Sequence, residues 1–181
     1  MEPGDYSLTE NLVAQYYPYI VRLALSILQD AEEAEDVAQE TFITALVHIE
    51  DCDADANFKA WLSTIAVNKC RDLLRKRKTR QKFTDVWQNI RMLGQTQTPE
   101  DIAEQSSTQT ELWTAVNTLN DKHRLPILLR YVHNLSIREI SQVLNVKEGT
   151  IHSRLHNACK KLAGQMEFNL DKMPVVEEVS R

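Results

Sequence analysis

The stretch Ile137–Leu162, IREISQVLNVKEGTIHSRLHNACKKL, decides the fold. Ser136 and Glu139 have the S-x-x-E spacing of a capping box, which opens a helix. Leu135, Ile140, Val143 and Leu144 give that helix an apolar stripe. Asn145 can take the left-handed conformation that a tight helix-to-helix turn needs. Ile151, Leu155, Ala158 and Leu162 then fall on one face of a second helix. Gly149, Ser153, His156, Asn157 and Lys160 lie opposite, flanked by Thr150 and Arg154. Such small and hydrogen-bonding side chains suit base edges and phosphates in a major groove. Gly149 lets the helix start approach a phosphate closely with its N–H groups. The pattern is a helix-turn-helix. Amphipathic helix pairs with a polar face are also common in proteins that never meet DNA, so the flanking sequence has to arbitrate.

Upstream, ELWTAVNTL and HRLPILLRYV are two amphipathic segments, with Asn120 and Asp121 between them as cap or turn. They supply the supporting helices of such a unit. Pro126 is expected early in its helix, where proline is best tolerated. The second domain therefore spans 111–163. Residues 87–110, polar and holding Gly94 and Pro99, read as a flexible interdomain linker. Residues 164–181 form a tail without a clear packing pattern after Phe168, expected to fray.

The first domain, 1–86, is also helical by pattern. Thr9–Leu28 carries Leu12, Val13, Tyr16, Ile20, Leu23, Ala24 and Ile27 at helical spacing, and Pro18 is expected to open a second helix or kink this one. DAEE at Asp30–Glu33 reads as a capping box for a helix in which Val37, Thr41, Ile43, Ala45 and Leu46 are available for packing. EDCDADAN, Glu50–Asn57, reads as a loop, and Asn57 can cap the next helix. That helix begins FKAWLSTIAVNKC, with Phe58, Trp61, Leu62 and Ile65 on one face. It ends in a cationic run in which five of the six residues Arg75–Arg80 are basic. Capping a helix C-terminus does not need so many.

Composition fits a helical chain. Of 181 residues, 43% are apolar and only 4 are Gly and 5 Pro, too few for the turns of an all-β fold. Cys52, Cys70 and Cys159 are far apart and form no CxxC, so neither a zinc site nor a disulfide framework is indicated. The N-terminus lacks a signal-peptide pattern and no apolar run reaches membrane-spanning length, so a soluble intracellular protein is expected.

The net charge of −5 hides a pattern. Asp30–Asp55 holds ten acids and no Lys or Arg, whereas Lys59–Lys82 holds nine basic residues against one acid, Asp72. From Phe83 to Trp113 the balance is −4, and from Thr114 to Ala163 it is +5. Alternating blocks suggest a polyanion on some surfaces and a protein on others.

These residues resemble the bacterial extracytoplasmic-function (group 4) sigma factors, promoter-specificity subunits of RNA polymerase in the sigma-70 family. The resemblance covers roughly Leu8–Leu162. DAEEAEDVAQETFITAL is similar to the region 2 docking helix, FKAWLSTIAVNKCRDLLRKRKTR to the promoter-melting and −10 helix, and LRYVHNLSIREISQVLNVKEGTIHSRLHNACKKL to the −35-binding helix-turn-helix of region 4. Two such blocks in this order, joined by a short polar linker, are far more specific than one helix-turn-helix. The resemblance implies that Asp36, Gln39, Glu40 and Phe42 contact the β′ coiled coil of the polymerase. It places Asp53, Asn57, Lys59, Trp61, Asn68, Arg71, Arg75, Lys76 and Arg77 at the −10 element, where the family flips a base out of the stack. It places Arg130, Ser136, Arg138, Gly149, Thr150, His152, Ser153, Arg154, His156 and Asn157 at the −35 element, near the β flap. Three aspartates in the Glu50–Asn57 loop, Asp51, Asp53 and Asp55, are unexpected beside phosphates, and His152 and Asn157 stand where many members carry Arg or Lys. The resemblance further implies an anti-sigma factor, often membrane-bound, and cytoplasmic location. No cofactor or small-molecule substrate is expected.

Two other readings compete. A stand-alone dimeric regulator would need a dimer interface, and no heptad seam is present. An enzyme on nucleic acid would need catalytic groups, and no nucleophile motif, Gly-rich phosphate loop or paired-carboxylate metal site appears.

Overall fold

A computed structural model describes residues 4–52, 57–91 and 107–166. Among these residues the chain forms helices and turns and no strand. The first unit is three helices: α1 Gly4–Leu28, α2 Ala31–Val47 and α3 Phe58–Arg91. They pack pairwise, α1 on α2 and α3, and α2 on α3. Ile20, Leu23 and Ile27 of α1 meet Val37 of α2 and Leu62 and Val67 of α3 in the core. Cys70 is buried with them, and burial pushes its thiol up to about 12. It is apolar filler rather than a nucleophile.

Local signals account for most boundaries. Asp30 Oδ1 accepts from the Glu33 amide at 3.0 Å and caps α2. Glu33 itself does not close the expected box, because its carboxylate pairs with Arg77 at 2.6 Å. Asn57 Oδ1 caps α3 by accepting from the Lys59 amide at 3.1 Å. Pro18 does not open a second helix, the first of its two expected roles. α1 runs through it without a break, with Pro18 on the exposed side and core contacts before and after holding the helix. α3 also extends past the cationic run, to Arg91.

The second unit comprises α4 Ser107–Thr118, α5 Asp121–Ile127, a wide π turn Leu128–Val132, α6 Ile137–Leu144 and α7 Glu148–Met166. Pro126 lies near the end of α5, not early in it. It has no N–H to donate back along the helix, and the wide turn follows immediately. Ser136 and Glu139 form the reciprocal capping box, and Asn145 is left-handed at φ 52° and ψ 54°. Leu135, Ile140, Val143 and Leu144 are buried against Ile151, Leu155, Ala158 and Leu162, as the periodicity required.

The two units pack on each other, with α6 lying against α3. At the seam, Ser26 Oγ lies 2.9 Å from His133 Nε2, and both residues are buried. Ser26 donates its one hydroxyl proton to the Leu23 carbonyl at 2.8 Å. Its oxygen must therefore accept from His133, which fixes the proton on Nε2. Arg124 donates to the Ser26 carbonyl at 3.1 Å and Lys59 Nζ to the His133 carbonyl at 3.4 Å. Lys78 pairs with Asp121 at 2.7 Å, and Asn57 donates to Glu139.

Arg77 was expected at the −10 element, and its geometry gives it a structural role. Its guanidinium bonds the Leu28 carbonyl at 3.0 Å, Glu33 at 2.6 Å and Asp30 at 3.6 Å. It thereby ties the end of α1 and the start of α2 to α3. Arg77→Gln should lower stability by about 1–2 kcal/mol, since it removes charge-assisted bonds at a half-buried site. Lys76→Gln next to it should leave the melting temperature unchanged, and thermal unfolding of both variants checks the contrast.

Burial, with Lys59 and then Arg22 nearby, pushes the His133 imidazole from 6.5 down to about 4. The unfolded chain takes up its proton near pH 6.5, whereas the folded chain resists until about 4. Stability from this group is thus complete above pH 6.5 and is lost as pH falls through that window, by roughly 3 kcal/mol. Urea titrations should show this fall in the native chain and a flatter profile over the same window in His133→Gln.

Candidate nucleic-acid and protein interfaces

Three surfaces collect the candidate residues. The first is the outer face of α2. Asp36, Glu40, Ile43 and Val47 follow one another at spacings of three and four, with Gln39 and Leu46 beside them, so they share a stripe. All six are exposed. Ile43 is 64% exposed and Val47 74%. The small Ala34, Ala38, Thr41 and Ala45 face the core instead. Phe42 departs from the expectation: it is buried, 7% exposed, with its ring 5.8 Å from that of Tyr17. Its role is packing. Conversely, helical spacing alone assigns Ile43 and Leu46 to packing and passes over Val47. The signal that separates the faces is the alanine spacing, which marks the close-packed side of the helix. Lys69 of α3 pairs with Glu40 at 3.2 Å on the edge of this stripe.

The second surface is the outer face of α3. Asn68, Arg71, Arg75 and Lys76 are exposed at helical spacing, with Lys78 continuing the row. Arg75 pairs with Asp72 at 2.9 Å, an exposed contact of small energetic value. Trp61 is half-buried, its ring 5.6 Å from Phe58, so its larger part packs within the first unit. Lys59 is half-buried and lies over the Tyr19 ring at 4.5 Å. Asn57 is exposed but spends both ends of its amide, on the α3 cap and on Glu139. Asp53 lies outside the described residues.

The third surface belongs to α6 and α7. Arg138, Gly149, Ser153, His156 and Asn157 are exposed, and Thr150, His152 and Arg154 are half-buried. A Cβ at Gly149 would meet nothing within 4 Å, so the start of α7 is open to a large ligand. Ser136 is occupied as the α6 cap. Arg130 donates to the Leu135 carbonyl at 3.1 Å, which braces the turn before α6. Phosphate contact by Arg130 would come on top of that internal bond.

The structure brings two of these surfaces together. Asn68, Arg71, Arg75 and Lys78 of α3 share a cleft of about 800 Å³ with Asp121, Lys122 and Arg154 of the second unit. Candidate −10 and −35 residues thus face the same space. Sequence reasoning could not foresee this, since it depends on how two separately folded units dock. Among the described residues no group of three or more His, Cys, Asp or Glu is placed to hold a metal ion.

Comparison with known proteins fits this division. Residues 12–80 match the family model for sigma-70 region 2, and residues 109–162 the model for sigma-70 region 4. The extracytoplasmic-function RNA polymerase sigma factor SigW of Bacillus subtilis is 32% identical over 174 residues, 92% of each chain. RNA polymerase sigma factor CnrH of Cupriavidus metallidurans is 29% identical over 175 residues, covering 93% of this chain and 92% of its own. The solved structure of CnrH in complex with the cytosolic domain of CnrY aligns with a TM-score of 0.63 at 25% identity, over 88% of this chain and 87% of that one. The sigma factor RpoE of Bartonella quintana, solved with the anti-sigma factor NepR, aligns at 0.69 and 22% identity over 88% of this chain and 97% of that one, a likeness of fold. With both regions matched in order, on helices that carry the expected turn, caps and exposed faces, the chain belongs to the extracytoplasmic-function sigma factors of the sigma-70 family.

Proposed function

We propose that the chain is a non-catalytic subunit that docks on core RNA polymerase through the outer stripe of α2. It then reads a promoter with α3 at the −10 element and α7 at the −35 element. The observation that carries the docking assignment is the stripe itself. Exposed Ile43 and Val47 beside Asp36 and Glu40 are wrong for DNA, because carboxylates repel phosphates. They are right for a protein, because apolar area is removed from water at the centre of a charged rim. The resemblance names the β′ coiled coil as that partner.

On this reading Arg71, Arg75 and Lys76 supply phosphate contacts, which give affinity without sequence information. Asn68 is the amide placed to hydrogen-bond an extruded base. On α7, Ser153, His156 and Asn157 present polar groups to base edges from an open helix start. Arg77 and Phe42 drop out of the binding surfaces, and Ile43, Leu46 and Val47 enter them. The packed arrangement supports a second element of the proposal. While α6 lies on α3, the cleft that holds Asn68, Arg71 and Arg154 has no room for two promoter elements, so the units separate on polymerase. An anti-sigma factor, the partner that the resemblance implies, would hold them together. Work on polymerase and promoter puts the site of action in the cytoplasm. No described helix is long and apolar enough to cross a membrane.

The test is binding to bacterial core polymerase with run-off transcription as readout. Asp36→Arg, Glu40→Arg and Ile43→Arg should each weaken core binding at least tenfold while leaving the fold intact. Unchanged binding in all three would remove α2 from the interface. Tight dimeric binding to duplex DNA by the chain alone, with no affinity for core, would favour the stand-alone regulator instead.

A second measurement addresses DNA. In holoenzyme, Arg71→Gln or Lys76→Gln should reduce the slope of log affinity against log salt by about 0.9 each on duplex DNA, the share of a single neutralised phosphate. A slope that stays put in both would take α3 off the phosphate backbone.

A further inference from the structure

The closed cleft between the units has a chemistry that promoter reading leaves unexplained. Arg71, Arg75 and Lys78 stand on its α3 wall, and Lys122 of α5 and Arg154 of α7 stand on the other. Asp72 holds Arg75 at 2.9 Å, and Asp121 holds Lys78 at 2.7 Å. Among the described residues, Arg71, Lys122 and Arg154 have no carboxylate at ion-pair distance. The closed cleft therefore carries a surplus of three positive charges, drawn from both units. The walls are nevertheless held together, by bonds outside the cleft that include Ser26 to His133. A concave site lined by one sign of charge focuses its field and concentrates counter-ions.

Size and lining narrow the class of counter-ion. At about 800 Å³ the cleft has the volume of a small-molecule site. A long polyanion meets each wall on its own, whereas a compact one touches both at once. Arginine binds phosphate through two parallel N–H bonds, and lysine binds it as a point charge. Arg71 and Arg154 with Lys122 are therefore the right groups for a compact anion of three or so charges. Buried Leu125 and Leu144 and half-buried Val146 back the cleft with apolar surface. Exposed Asn68 and Thr79 add hydrogen-bonding groups. An organic group carried by the phosphates finds both kinds of contact there.

We propose that the cleft binds a small polyphosphate, either a nucleoside triphosphate or an inorganic chain of similar charge, which bridges the two units. Arg71 holds the phosphates from one wall, and Lys122 and Arg154 hold them from the other. The bound anion turns repulsion between the walls into attraction. Only the packed arrangement offers both walls, so the ligand stabilises that arrangement by its differential affinity. It competes with any partner that must open the seam, promoter DNA on the reading above included. Lys122 has no part in that reading, and binding is measured with neither polymerase nor DNA. The two can therefore fail separately.

Calorimetric titration of the full chain with tripolyphosphate, ATP and citrate tests this, at matched ionic strength and without divalent cations. The expected result is one equivalent of tripolyphosphate or ATP, bound about tenfold more tightly than citrate, a compact trianion without phosphate. Arg71→Gln on one wall and Lys122→Gln on the other, both at exposed positions, should each weaken binding about fivefold. The melting temperature of the free chain should not move in either. Lys160→Gln, exposed and outside the cleft, should leave the affinity unchanged. Equal affinity for ATP and tripolyphosphate would assign the site to the phosphate chain alone, and tighter ATP would assign it to a nucleotide; either result upholds the proposal. No binding, several weak equivalents, or citrate bound as tightly would overturn it. So would a loss confined to one of the two walls, since the ligand would then not bridge the units.

Discussion

The buried hydrogen bond between Ser26 and His133 is the contact on which the two halves of the chain hinge. It joins the end of α1 to the turn before α6 at 2.9 Å. A hydroxyl or imidazole buried without a partner costs about 1–3 kcal/mol. The His133 Nε2–H is therefore satisfied by Ser26 only while the two units are in place. The Ser26 proton is already committed to Leu23, so the imidazole has to be the donor. Around this neutral pair the seam uses cations on carbonyl oxygens, Arg124 on Ser26 and Lys59 on His133. Such bonds exchange readily with water when the units part. The seam is specific in register without being strongly apolar.

Charge works against tight closure of the seam. The cleft on one side gathers five cations and two acids. Arg75 and Lys78 find partners in Asp72 and Asp121, and Arg71, Lys122 and Arg154 line the same cleft. A polyanion drawn to either face gains more by reaching both in sequence than by entering the closed cleft. The same residues that oppose tight closure are those proposed to meet promoter DNA. The α2 stripe lies on another helix and is exposed in the packed arrangement, so docking on a protein need not await opening.

Much of this was legible in the sequence where one helix decides the matter. The Ser136–Glu139 box, the left-handed Asn145 and the two apolar faces of the helix-turn-helix follow from spacing, and the structure repeats them. The start of α3 at Phe58 followed from Asn57 in the same way. What failed needed the identity of a neighbour. Arg77 looks like any other cation in a basic run until Asp30, Glu33 and the Leu28 carbonyl converge on it. Phe42 and Ile43 are adjacent apolar residues, and only the packing of α2 on α1 decides which is core and which is surface. The docking of the two units left no periodic trace, because its hydrogen bonds join single residues in unrelated segments.

The length of α3 has a mechanical consequence. Its 34 residues form one continuous helix, about 50 Å long. The chain toward the second unit departs from the tip of this rod, at a bearing set by how many residues precede it. Inserting or deleting one residue between Thr79 and Arg91 would turn that bearing by about 100° and shift it by only about 1.5 Å. Length changes there act as gear steps rather than slack. Homologous chains that differ in this stretch would be expected to differ by whole helical turns, three or four residues at a time, where the bearing at the end of the helix is kept.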